Sequence, residues 1–219
     1  MTDQKPTAQD SASNPPAVLI IEANFDDITK AAFKYRQEHV YPYLTARGLN
    51  LILLRDGSAQ REEVKREIYG ANIRYLFGVG HGERDCFCGH RNSPIFRVGE
   101  YEQDEVRGKI IHLLSCFTAE TLGDDFIRQG AEAFFGYSED FAIPFEDLDE
   151  LAELSGYFFG CDAEIECALA DGQPIEEIET RVKQRFDDCI NELRKLGKRE
   201  ASAALETNRD LLVCLLNKF

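Results

Sequence analysis

Residues 74–82 read RYLFGVGHG, an apolar run that stops on a histidine held between two glycines. Residues 109–116 read KIIHLLSC, a second apolar run that stops on a cysteine. Short β-branched and aromatic runs bounded by glycine or small polar residues read as buried strands. Outward from these two, the same signal stands at 18–22 (VLIIE), 49–54 (LNLILL read from Leu49) and 132–137 (EAFFGY). Between them lie helical stretches. Residues 27–46 carry Ile28, Ala31, Ala32, Tyr35 and Val40 on an apolar stripe, and Gly48 ends the helix. Residues 59–69 are charged, with Val64 and Ile68 facing in. Residues 118–129 start at Thr118 as N-cap, carry Glu120, Asp124 and Asp125 early, and stop at Gly130. Residues 83–99 read as a polar excursion or a small hairpin.

Strands alternating with helices define an α/β class. The expected architecture is a three-layer sandwich, a mostly parallel sheet of roughly five to six strands with helices on both faces. From 147 onward the pattern turns to long amphipathic segments, 147–170, 174–196 and 200–217, giving a helical C-terminal region. Residues 1–16 are polar and end in Pro15-Pro16, which reads as a flexible tail before a single domain over 17–219.

Composition excludes some roles. The chain has 25 Lys and Arg against 40 Asp and Glu, a net charge of −15. Nucleic-acid binders and anchors to anionic lipid draw their affinity from basic residues, so both are disfavoured. Seven cysteines is an odd count, and the first ten residues have no apolar core. These features lead to the expectation of a reduced, cytoplasmic protein without a signal peptide.

In open α/β sheets, ligands bind beyond the carboxyl ends of the strands. His81 and Cys116 both stand at such ends. Were the two strands neighbours, their ends would lie about 5 Å apart, within side-chain reach. A cysteine beside a histidine is the basic unit of thiol catalysis: the imidazole takes the proton and the thiolate attacks. The glycines beside His81 leave room for a substrate backbone. The amides of Gly82 and Cys116 are candidates for an oxyanion hole.

An apolar strand ending in His-Gly, followed by one ending in Ser-Cys, resembles the caspase-like cysteine peptidases of clan CD. YLFGVGHG (75–82) is similar to the His motif of their gingipain and CHAT branch. KIIHLLSCFTAETLGDDFIRQGAEAFFGY (109–137) is similar to its Cys motif, and TNRDLLVCLL (207–216) to the tail of several gingipain-like domains. The likeness runs over residues 17–217. It implies a cysteine endopeptidase with His81 as base and Cys116 as nucleophile, a protein or peptide substrate, and no required cofactor. Some members of that group take calcium or need processing or a partner, so an activating protein partner or an oligomer belongs to the same implication. The Gln-Ala-Cys-x-Gly motif of caspases is absent, so cleavage after Asp is not implied.

In that group the loop after the first strand helps to form the substrate pocket. Here it carries Asp27 and Asp26, with Asp27 preferred as a pocket carboxylate that would select Arg or Lys. The competing role is helix capping, for which Asp is well suited. Ser115 completes the expected substrate-binding set. Two other functions stay open. One is a catalytically silent interaction module of the same fold. The other is a zinc site from His81, Cys86, Cys88 and His90, which a C-x-C strand could present on one face. His112 reads as a packed core histidine and His39 as a surface residue. Cys161, Cys167, Cys189 and Cys214 read as core, and residues 137–141 as candidates for the cleft.

Overall fold

The computed structural model describes residues 16–144 and 147–218. The expected tail therefore lies outside the described residues, apart from exposed Pro16. The chain is an α/β three-layer sandwich. Its main sheet has six strands: β1 Ala17–Glu22, β2 Asn50–Arg55, β3 Ile73–Val79, β7 Ile110–Leu114, β8 Ala133–Tyr137 and β9 Leu212–Leu216. Their order is β2-β1-β3-β7-β8-β9, and all pairings are parallel except that of β8 with β9. A small antiparallel sheet of β4 His81–Glu83, β5 Cys86–Cys88 and β6 Pro94–Arg97 fills the 83–99 excursion.

Alternation along each strand builds two cores. Val18, Ile20, Phe77 and Phe135 face α1 (Asp27–Tyr35), α5 (Leu148–Ala170), α6 (Ile175–Lys195) and α7 (Arg199–Leu211). Leu19, Ile21, Leu76 and Phe134 face α3 (Arg61–Gly70), α4 (Thr121–Arg128) and the small sheet. Val64 and Ile68 point inward, as their spacing requires. Among the described residues, no helix is long and apolar enough to cross a membrane.

Four sequence expectations are corrected. The helix over 27–46 is interrupted: a π-helical turn at Arg36–Val40 separates α1 from α2, Tyr41–Ala46. Thr118 is not an N-cap, because its hydroxyl donates to the Ser115 carbonyl and the helix begins three residues later. The last amphipathic segment leaves the helix after Leu211 and becomes β9. Cys161 and Cys189 are buried, but Cys167 and Cys214 are only half-buried.

His112 lies in the core, as expected, but not among apolar groups alone. Its Nδ1 sits 3.0 Å from Glu166 Oε1 and its Nε2 3.1 Å from Asp162 Oδ1. Tyr137 donates to the same Asp162 oxygen at 3.0 Å. Arg36 ties Glu166 to Glu22, donating through Nε to Glu22 at 2.7 Å and through Nη2 to Glu166 at 3.0 Å. Tyr41 also donates to Glu22. The carboxylates, guanidinium and imidazole of this network (Glu22, Asp162, Glu166, Arg36 and His112) are all buried.

Burial works against a charged His112 ring, but Asp162 and Glu166 outweigh it and raise its pKa to about 9. A group raised on folding gives stability that is complete below its unfolded pKa, about 6.5, and lost as pH climbs through the folded value. Stability is therefore expected to fall between pH 7 and pH 10 by on the order of 3 kcal/mol. Denaturant titrations at several pH values check this, and His112→Gln should flatten the alkaline limb.

Candidate active site

Strands β3 and β7 are neighbours, with Val79 opposite Leu114. The Gly80 amide extends the contact by donating to the Leu114 carbonyl at 3.3 Å. The residues that follow, His81 and Cys116, line one cavity of about 250 Å³. Close approach of the two segments depends on Gly82, and that of the small sheet on Gly80. A Cβ on Gly82 would collide with Ser115 Oγ and the Cys116 carbonyl oxygen, and one on Gly80 with the Cys88 carbonyl.

Three features hold the cysteine. Phe117, the next residue, turns the chain through a left-handed φ of 60°. The amides of Phe117 and Ala119 donate to the carbonyls of Glu139 (3.2 Å) and Tyr137 (3.0 Å), lacing this turn to the end of β8. The Phe141 amide donates to Cys116 Sγ at 3.3 Å. Phe141 in turn is placed from α7, because Asn208 bonds both the amide (2.7 Å) and the carbonyl (2.9 Å) of Ala142. Burial pushes the Cys116 thiol up and the Asp140 carboxylate adds to this, while the amides of Phe141 and of Cys116 itself pull the other way. The net direction is upward.

His81 is half exposed, and its Nε2 lies 2.6 Å from Asp26 Oδ2. The Phe25 ring meets its edge at a centroid distance of 5.6 Å. Asp26 does two things at once. Its Oδ1 accepts from the Thr29 amide at 2.9 Å and caps α1, and its other oxygen holds the imidazole. Burial opposes the charge on Asp26, but the Thr29 amide and His81 hold its carboxyl below the usual range. The ring bonds Asp26 and the thiol bonds Phe141. Neither of these bonds joins the pair to each other.

Of the expected substrate-binding residues, Ser115 lines the cavity. Asp26 is instead committed to the cap and to His81, and Asp27 is exposed and stands outside the lining. The sequence missed the Asp26–His81 contact because the loop geometry that creates it, with Asn24 at a φ of 47°, has no local signature beyond the Asp-Asp pair. Phe141 stands on the rim expected of residues 137–141, and its bond to sulfur has no signal in the sequence.

The four residues of the alternative zinc set point to different partners. His81 faces Asp26, His90 Nδ1 faces the Ala23 carbonyl at 3.4 Å, and Cys86 Sγ accepts from Arg97 at 3.7 Å. Cys86 and Cys88 do face each other, with sulfurs 3.6 Å apart. Among the described residues, no group of three or more His, Cys, Asp or Glu is arranged to hold a metal ion.

Asp26→Asn separates the two tasks of this side chain. Asparagine caps helices as well as aspartate does, so the melting midpoint should hold within a degree or two, whereas Asp26→Ala should cost about 1 kcal/mol. If His81 acts as a base, Asp26→Asn should lower kcat/KM about tenfold or more by loosening the ring and removing its counter-charge. The pH–rate profile should shift with it, which simple loss of the cap would not cause.

No family model matches the chain, and none of the curated proteins matches it.

Proposed function

We propose that the chain is a cysteine endopeptidase of the caspase-like kind, acting through Cys116 and His81 with Asp26 orienting the imidazole. The observation that carries this reading is the convergence of a glycine-flanked histidine and a partly buried thiol on one cavity, at adjoining strand ends. His81 takes the thiol proton. The sulfur of Cys116 attacks the scissile carbonyl carbon, and the C–N bond breaks as the imidazolium protonates the departing amine. A thioester to Cys116 remains. Water, deprotonated by His81, attacks it and releases the acid, and the proton returns to sulfur. The amides of Gly82 and Cys116 are the proposed donors to the tetrahedral oxyanion.

A protein or peptide is the substrate in this reading, with no cofactor in the reaction. An activating partner or oligomer remains part of the proposal. Seven free thiols support placing the protein in a reducing compartment such as the cytoplasm. The test is alkylation of Cys116 by iodoacetamide, followed by mass spectrometry, alongside peptide hydrolysis. Selective labelling that slows in His81→Ala supports the peptidase. Labelling of all accessible cysteines, indifferent to His81, would instead mark a silent interaction module.

A further inference from the structure

We infer that the cavity beside Cys116 seats an uncharged, apolar side chain on the acyl side of the cut bond. This rests on the peptidase reading and narrows its substrate class. The walls that matter are Ile28, Ala32, Leu114, Phe141, Ile143 and Phe159. These are aliphatic or aromatic, drawn from α1, β7, α5 and the segment after β8.

The polar groups in the lining are few, and most are already engaged. Thr29 spends its hydroxyl locally, accepting from the amides of Phe25 (3.1 Å) and Asp26 (3.2 Å) and donating to the Asp26 carbonyl (3.3 Å). That leaves its methyl as the group it can offer. His81 and Cys116 are the reacting pair. Ser115 is different: it is 2% exposed, and its hydroxyl has no hydrogen-bond partner among the described residues. That oxygen is closed off against the Gly82 backbone, so it offers the cavity no accessible polar group.

Among the described residues no carboxylate belongs to the cavity lining; exposed Asp140 acts on the Cys116 thiol from outside it. Asp26 serves the cap and His81, Asp27 lies outside, and Glu22 is bound to Arg36 and Tyr41 in the buried network. Seating an arginine or lysine against these apolar walls would take a cation out of water with no carboxylate of the described lining to pair it, and burying an unpaired charge costs several kcal/mol. An acidic side chain meets the same penalty. An apolar side chain gains about 25 cal/mol for each Å² it removes from water. The volume of about 250 Å³ leaves room for one side chain of Leu, Met or Phe size.

The experiment uses short peptidyl acyloxymethyl ketones that differ only in the residue next to the reactive group: Leu, Phe, Arg, Lys or Asp. The readout is the rate of adduct formation on Cys116 by mass spectrometry. Leu and Phe probes should react at least tenfold faster than the charged ones. Equal rates, or faster reaction with Arg or Lys, would overturn the inference while leaving the peptidase reading intact. If no probe labels Cys116 in a His81-dependent manner, the peptidase reading itself falls and takes this inference with it. A gain-of-function arm uses Ile28→Asp, a position 36% exposed at the cavity wall, where a charge is tolerated by the fold. It should lower the Leu-to-Arg rate ratio at least tenfold, and an unchanged ratio would count against the cavity as the seat of the side chain.

Discussion

His81→Ala should lower kcat/KM for a good peptide substrate by about 10³-fold, within the range for loss of a general acid–base group, and Cys116→Ala should bring hydrolysis to background. The size follows from the state of the sulfur. Burial raises the Cys116 thiol, and the opposing amides of Phe141 and Cys116 do not reverse this. At neutral pH the thiolate is therefore scarce unless a base takes the proton. His81 shares the cavity with it and has an exposed face through which a leaving amine can be protonated. Removing the imidazole leaves hydroxide as the base, so residual activity in His81→Ala should climb with pH well past neutrality. Wild-type activity should be far less pH-dependent over that range. Retention of activity within a fewfold in His81→Ala would exclude the proposed base. Asp26 would then be a capping residue that happens to touch an exposed ring.

Arg36→Met should destabilise the fold by about 3–5 kcal/mol, lowering the thermal midpoint by roughly 6–20 °C for a domain of this size. Arg36 is 1% exposed and bridges two carboxylates that are themselves fully buried. Methionine fills much of the same space, so packing loss is small and the electrostatic effect dominates. Glu166 retains His112, but Glu22 keeps only the Tyr41 hydroxyl. Burial, its strongest influence, already holds the Glu22 carboxyl above its ordinary range despite Arg36, so losing the guanidinium drives it further toward the neutral acid. Glu22→Gln added to Arg36→Met should therefore recover part of the loss. Arg36→Lys should fall between the two, since one ammonium cannot reproduce the forked contact. Equilibrium denaturation of the four proteins gives the answer, and a loss below about 1 kcal/mol in Arg36→Met would mean the network is neutral in net effect.

The parallel strands were legible because each is a short apolar run with its own punctuation. So were α3, from Val64 and Ile68, and the placing of His81 and Cys116 on one cavity, from the rule that sites gather at strand ends. What escaped was set by distant partners. Leu-Leu-Val-Cys-Leu-Leu at 211–216 is equally apolar as a helix end or a strand, and only the open edge of β8 decides between them. The sequence shows His112 only as a packed histidine because Asp162 and Glu166 lie 50 and 54 residues further along the chain. Asp26 was legible as a cap but not as the partner of His81, since that contact depends on how the loop after β1 is folded over β4.

The pairing of β8 with β9 also has a kinetic side. Strands β1, β3, β7 and β8 can assemble as the chain is made, whereas β9 follows three helices later. Until it docks, Phe134 and Phe135 sit in a strand with one side of its backbone unpaired, a template for association with other chains. Closing so distant a contact is slow compared with forming α5 to α7. The same event brings Asn208 to Ala142 and the Ser138 amide to the Leu211 carbonyl at 3.1 Å. The wall that carries Phe141 thus depends on the same C-terminal docking as the last ladder.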